Sequence, residues 1–169
     1  MSDKDASLES LRDMIKDIRF AMFTTRSHRA HHAGHLHSRP MTTQKVGVDE
    51  GTLWFFMSRK GDPVADIAAD PVVNVNYADP DKDTYVSVSG TARVVNDPAK
   101  VRALWNKAVE AWFPKGPDDP DVALVAVDIG HAHYWDIKEN KLVQLLAMTK
   151  AVIVGGVPRL GESVEVPVR

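Results

Sequence analysis

A period of two governs the middle of the chain. Val73, Val75 and Tyr77 fall on one face of a strand over Val72–Tyr77, and Val86, Val88, Gly90, Ala92 and Val94 on one face of a longer strand over Thr84–Val95. Gly90, midway along the second, predicts a bulge or bend of the kind that lets a sheet curl into a barrel. Upstream, Phe20–Thr25 is aromatic and β-branched enough for a first strand. Leu36–Lys45 and Thr52–Met57 read as two more, separated by a Gly- and Asp-bearing turn over 47–51. Downstream, Val122–Ile129 is a nearly continuous apolar run, and His133–Asp136 extends it past Gly130.

Helical spacing takes over elsewhere. Leu8, Leu11, Ile15 and Ile18 predict an amphipathic first helix, with Ser7 placed to cap it. Asp62-Pro63 reads as an N-cap with proline at the first helical position, opening a helix over Val64–Ala69. Asp97-Pro98 starts another, Ala99 to about Trp112, with Leu104, Ala108 and Ala111 on its inner face. The segment 114–121 is a polar, proline-bearing connection. Leu142, Leu145, Leu146, Thr149 and Ile153 predict a last helix ending at Gly155-Gly156, and 156–169 an extended tail. Six strands, mostly antiparallel by their short turns, with helices between them predict a mainly β fold: a small barrel surrounded by helices, in a single domain over 1–169.

Composition narrows the function classes. A chain of 169 residues, 44% hydrophobic and 26% charged, buries a core without staples. The net charge of −2, with the basic residues scattered, excludes a nucleic-acid footprint. Without cysteine there is no disulfide, thiolate metal site or cysteine nucleophile. No apolar run approaches the roughly 20 residues that cross a bilayer, and the polar, acidic start lacks a signal-peptide core. These features lead to the expectation of a cytoplasmic protein with no membrane partner.

The candidate chemistry lies between His35 and Lys60. In the expected hairpin, Arg39 faces an aromatic strand bearing Trp54, Phe55 and Phe56, and Ser58, Arg59 and Lys60 follow where a helix begins. A guanidinium fork matches phosphate oxygens, Ser58 offers a hydroxyl and Lys60 a mobile charge. A helix start adds free N–H groups and the positive end of its dipole. With a flat aromatic wall alongside, the set suits a phosphorylated, ring-bearing ligand such as a flavin nucleotide. The bland alternative is a guanidinium paired with a surface acid beside a solvated turn, and spacing alone weights the two evenly. Three consecutive strand aromatics must point to both faces, so at least one is core. His28, His31, His32, His35 and His37 lie close together, but on a loop that leaves their rings unfixed; the reading is a solvated loop and no metal site.

Taken in order, RPMTTQ (39–44), LWFFMSRK (53–60), VADIAADP (64–71), VVNVNY (72–77), SVSGTARVV (87–95), LW…AWFP (104–114) and HYWD (133–136) resemble the FMN-binding split-barrel family. They are most similar to its general-stress-protein branch, related to pyridoxamine 5′-phosphate oxidase. The resemblance implies a six-stranded antiparallel split β-barrel that pairs with a second copy of itself and binds FMN between the two. It places Arg39 on the phosphate, Pro40, Met41 and Thr42 along the ring or ribityl chain, and Phe55, Phe56, Met57 and Ser58 along the next strand. Lys60 and Val64 would follow at the phosphate end, and Trp112 and Trp135 would cover the ring or reach it from the partner. One position departs: Pro63 stands where relatives usually carry a base, leaving Lys60 or Arg59 to neutralise phosphate.

Flavin would carry the electrons while the protein orients it. This fits a chain with no Ser-His-Asp or paired-carboxylate signature, and the expected activity is a flavin-dependent oxidoreductase acting on a small molecule. Storage or sensing of FMN, and a scaffold that has lost its ligand, are the competing classes. Pyridoxamine phosphate oxidation is disfavoured, because the tail ends SVEVPVR and lacks an Arg-x-His segment.

Overall fold

The computed structural model describes residues 3–49, 51–136 and 162–167. In chain order the elements are α1 (Asp3–Ile15), β1 (Ala21–Arg26), β2 (Leu36–Met41), β3 (Gln44–Asp49), β4 (Thr52–Ser58) and α2 (Asp62–Ala69). Then come β5 (Val72–Asp79), β6 (Thr84–Val95), α3 (Pro98–Leu104), α4 (Lys107–Trp112), β7 (Val122–Asp136) and β8 (Glu162–Pro167).

The strands form one sheet in the order β2-β1-β5-β6-β7-β4-β3, with β8 added to β7, and the pairings are antiparallel. Topology alone forces this sheet to curl. If it were flat, its edge strands β2 and β3 would lie about 29 Å apart, at ~4.8 Å per strand. Yet only Thr42 and Thr43 connect them, and three Cα steps reach about 11 Å at most. The edges therefore come together as a barrel closed by the chain and split between β2 and β3. The mainly β split barrel with surrounding helices is thus the observed class. Two strands are added to the six read from the sequence: Leu36–Lys45 divides in two at Thr42-Thr43, and the tail supplies β8.

That division redirects the candidate strand. The hairpin partner of β4 is β3, with Gln44 opposite Trp54, whereas β2 pairs with β1 and places Arg39 opposite Phe23. Arg39 therefore does not face the aromatic strand.

The core has two compartments. Inside the barrel, Phe23, Leu53, Phe55, Met57, Val75, Tyr77, Val86, Val88, Val125 and Val127 pack with Leu11 and Ile15 of α1 and Ile67 of α2. On the other side of the sheet, Trp54 and Phe56 pack with Leu104, Val109, Leu124 and Ala126 beneath α3 and α4. Because β4 is covered on both faces, it reads as an unbroken apolar run.

Glycine at 90 is required by close approach. Between Ser89–His131 and Gly90–Ile129 the register slips by one, leaving Gly130 as the extra residue of the bulge. A Cβ at Gly90 would lie 2.4 Å from the Asp128 carbonyl oxygen.

Three boundaries differ from expectation. Ser7 lies inside α1 rather than capping it, and Ile18 sits beyond the helix, though still packed on the core. Asp62 is the first residue of α2 rather than its cap, which is Gly61 with no side-chain hydrogen bond. The helix expected over Ala99–Trp112 breaks at Trp105-Asn106, because the Asn106 carboxamide oxygen accepts from the N–H groups of Ala108 and Val109 and starts a new helix. The break rotates the frame so that Val109, rather than Ala108 or Ala111, is buried. The helix expected over 142–153 lies outside the described residues.

Candidate functional site

At the end of β1, inward positions are no longer apolar. Ala21, Phe23 and Thr25 point into the barrel, and buried Thr25 donates its hydroxyl hydrogen to Asp66 Oδ2 at 2.7 Å. Asp66, in the middle of α2, has only 1% of its side chain exposed. It also accepts the His28 backbone N–H at 3.1 Å, and its Oδ1 lies 2.5 Å from His28 Nδ1. Arg39 completes the cluster from β2: its Nη1 donates to Thr25 Oγ1 at 2.9 Å, and its Nη2 lies 3.5 Å from Asp66 Oδ2. That Nη2 is buried and makes no hydrogen bond.

Burial would push the Asp66 carboxyl up. Hydrogen bonds from the His28 ring, the Thr25 hydroxyl and the His28 N–H, with the Arg39 charge, outweigh it and hold the group below its ordinary value.

Asp66 belongs to a pattern the sequence contains but its reading passed over. Asp62 and Asp66 on α2, with Asp70 as its C-cap, recur at intervals of four along one side of the helix. Each meets an arginine from the β1–β2 region: Arg29 on Asp62, Arg39 on Asp66 and Arg26 on Asp70. The acidic stripe on a helix whose other face buries Ile67 was the signal available for finding Asp66. Nothing local marked Thr25 or His28. Of the His-rich loop, expected to leave its rings unfixed, His28 is anchored on Asp66. Among the described residues no group of three or more His, Asp and Glu side chains is placed to hold a metal.

The other expected residues fall in several places. Ser58 and Lys60 do not join Arg39 in this cluster. The Ser58 hydroxyl donates to Asp121 Oδ2 at 2.8 Å, the Lys60 N–H to Asp121 Oδ1 at 3.3 Å, and Arg59 Nη2 to the Val122 carbonyl at 3.1 Å. The Ser58 hydrogen bond, ahead of the Lys60 contacts and the Lys115 charge, holds the Asp121 carboxyl below its ordinary value. The side chains of Phe55 and Met57 fill the barrel interior, and Phe56 packs edge-on to Trp105 in the second compartment. Val64 and Met41 are half-buried against the interior; Pro40 is exposed opposite Met22, and Thr42 is half-buried. Trp112 is 82% exposed. Trp135, on the outer face of β7, stacks on His133 with centroids 4.8 Å apart and planes 20° from parallel.

The outer face of β1, β2, β5, β6 and β7 forms a second surface of interest. Its centre is polar and uncharged: Thr24 and Ser38 hydroxyls lie 2.8 Å apart, and Asn74 Nδ2 donates to Ser87 and Ser89 at 3.0 and 3.1 Å. Around it Met22, Leu36, Val72, Tyr85 and Trp135 are exposed, with Tyr85 directly opposite Trp135. A sheet face that carries large apolar groups around neutral amides and hydroxyls is suited to being covered.

Residues 6–158 match the family model described as pyridoxamine 5′-phosphate oxidase like. The chain belongs to this family. Its relatives include protein bli-3 of Neurospora crassa, 29% identical over 162 residues that cover 89% of this chain and 75% of that protein. Among solved structures it is similar to the general stress FMN/FAD binding protein of Xanthomonas citri: 32% identity, TM-score 0.66, covering 80% of this chain and 92% of that one. General stress protein 26 of Bacillus anthracis shares the fold at 21% identity and TM-score 0.65, covering 76% of this chain and 92% of that one. Among the described residues no helix is long and apolar enough to cross a membrane.

Proposed function

We propose that this member of the pyridoxamine 5′-phosphate oxidase-like family binds FMN as a homodimer and acts as a flavin-dependent oxidoreductase on a small molecule in the cytoplasm. The observation that carries the reading is Arg39 Nη2: a guanidinium nitrogen out of solvent, beside a buried carboxylate, with no acceptor of its own. A buried N–H without an acceptor costs about 1–3 kcal/mol, and a phosphate oxygen is the acceptor for which a guanidinium fork is shaped. The name of the Xanthomonas citri protein, FMN/FAD binding, supports a flavin. FMN ends in a terminal phosphate, which suits a single guanidinium; Pro40, Met41 and Thr42 continue along the same edge of the sheet.

Bound flavin would supply hydride and electron transfer, and the chain's own groups would hold and orient it. Phe55, Phe56 and Met57 keep their side chains in the core, so β4 would contribute a rigid backbone, while Ser58 and Lys60, held at Asp121, would lie outside the phosphate contacts. Trp112 and Trp135, both exposed, would meet the ring or the second copy, and the neutral outer face with Met22, Tyr85 and Trp135 would be where that copy sits.

Titration with FMN, followed by quenching of flavin fluorescence, tests the binding. Saturable binding is expected, and Arg39→Ala weakens it at least tenfold; absence of binding to the wild type refutes the reading. Bound flavin that stays oxidised with both NADH and NADPH would mark a storage or sensing protein instead.

A further inference from the structure

One carboxylate here serves two bases. His28, from the loop after β1, meets Asp66 Oδ1 through Nδ1 at 2.5 Å, and Arg39, from β2, lies 3.5 Å from Oδ2. Asp66 can neutralise only one positive charge, so with His28 doubly protonated the cluster carries a net charge of about +1. Each base also keeps a donor that Asp66 does not take. For Arg39 it is the unpartnered Nη2; for His28 as imidazolium it is Nε2–H, with Nδ1 already on the carboxylate.

The other cations nearby are differently placed. Arg26 and Arg29 lie on Asp70 and Asp62 with half or more of each side chain in water, and Arg59 reaches the Val122 carbonyl. Arg39 has only 18% of its side chain exposed, so water does little for its unused donor.

We propose that His28 and Arg39 together form the phosphate clamp of this chain, with Asp66 as the positioning residue that sets both. The ligand class is a phosphomonoester dianion, one oxygen accepting from Arg39 Nη2 and another from His28 Nε2–H. The inference rests on the FMN reading for the molecule that bears the phosphate, and it adds His28 and Asp66 to the binding set. It also gives the loop between β1 and β2 a task. Its turn, closed by the Ser27 N–H to the His35 carbonyl at 2.8 Å and the Gly34 N–H to the Ser27 carbonyl at 2.9 Å, holds His28 over α2. The His28 ring meets Asp66 of α2, which Thr25 of β1 and Arg39 of β2 also engage, and neighbouring Arg29 is turned to Asp62.

The test compares FMN with riboflavin, which lacks the phosphate, on the full chain. His28→Gln is expected to weaken FMN about tenfold, the worth of one charge-assisted hydrogen bond, and to leave riboflavin unchanged, while His28→Lys restores most of the loss. Asp66→Asn reduces the FMN-to-riboflavin preference as well, whereas a purely structural role would weaken both flavins alike. If Asp66→Asn does not fold, the two His28 variants decide. FMN binding unaffected by His28→Gln overturns the clamp and leaves the flavin reading standing. If no flavin binds, inorganic phosphate followed through the imidazole nitrogen resonances of His28 separates the two ideas. A shift that Arg39→Ala abolishes supports the clamp without the flavin, and no shift overturns both.

Discussion

Arg39 enters its site with a counter-charge already in place, and this changes what its loss should do. Removing Asp66 leaves the guanidinium in a mostly dry pocket without compensation, while removing Arg39 leaves a carboxylate that still accepts from Thr25 and His28. Asp66→Ala is therefore expected to lower stability by about 3 kcal/mol, at the weak end of the range for breaking a buried pair because Arg39 keeps some contact with water. Chemical denaturation measures it, and a loss below about 1 kcal/mol would show that the pair holds nothing. The same carboxyl makes acid a probe. Its value in the folded chain lies below the unfolded one, about 3.9, so its contribution is fully present above that pH and disappears as pH falls through the folded value. Melting temperature should fall more steeply below pH 4 in the wild type than in Asp66→Asn; parallel curves would contradict the assignment. At this scale the sequence was half legible. Arg39 stood out by its strand context, yet its partner is a helix aspartate whose stripe with Asp62 and Asp70 is visible only once α2 is taken as a helix with a polar face.

Elements show why single-residue chemistry was placed correctly but joined to the wrong neighbours. A period of two located most of the strands within a residue or two, since alternation follows from the pleat, but the turn expected over 47–51 is strand as far as Asp49. It could not reveal that Leu36–Lys45 divides at Thr42-Thr43, because both halves keep extended backbone, and so Arg39 was set against Trp54 rather than Phe23. The fused helix over 99–112 misled for a related reason: apolar spacing runs through Trp105-Asn106, and the stop lies in a carboxamide that hydrogen-bonds locally. Asn106 also donates to Gln44 Oε1 at 2.8 Å, tying α4 to the start of β3. Asn106→Ala is expected to cost about 1–2 kcal/mol through the lost cap and the lost tie. Gly90→Ala forces a methyl against the Asp128 carbonyl and should cost about 1–3 kcal/mol, read as a lower melting temperature. A neutral result would mean that the bulge relaxes freely.

At the scale of the whole molecule, the barrel was legible in outline because alternation, short turns and a central glycine all point to a curled antiparallel sheet. Closure came from something no window of residues displays: a two-residue link between strands that lie at opposite ends of the sheet. That link also leaves β2 on an edge, with Arg39 turned to the interior and Ser38 on the outer face. Native mass spectrometry of the purified protein after incubation with FMN tests the account most directly. The account predicts a dimer carrying two FMN molecules, and a bare dimer for Arg39→Ala. A monomer, or a wild-type dimer that stays free of FMN, would contradict it.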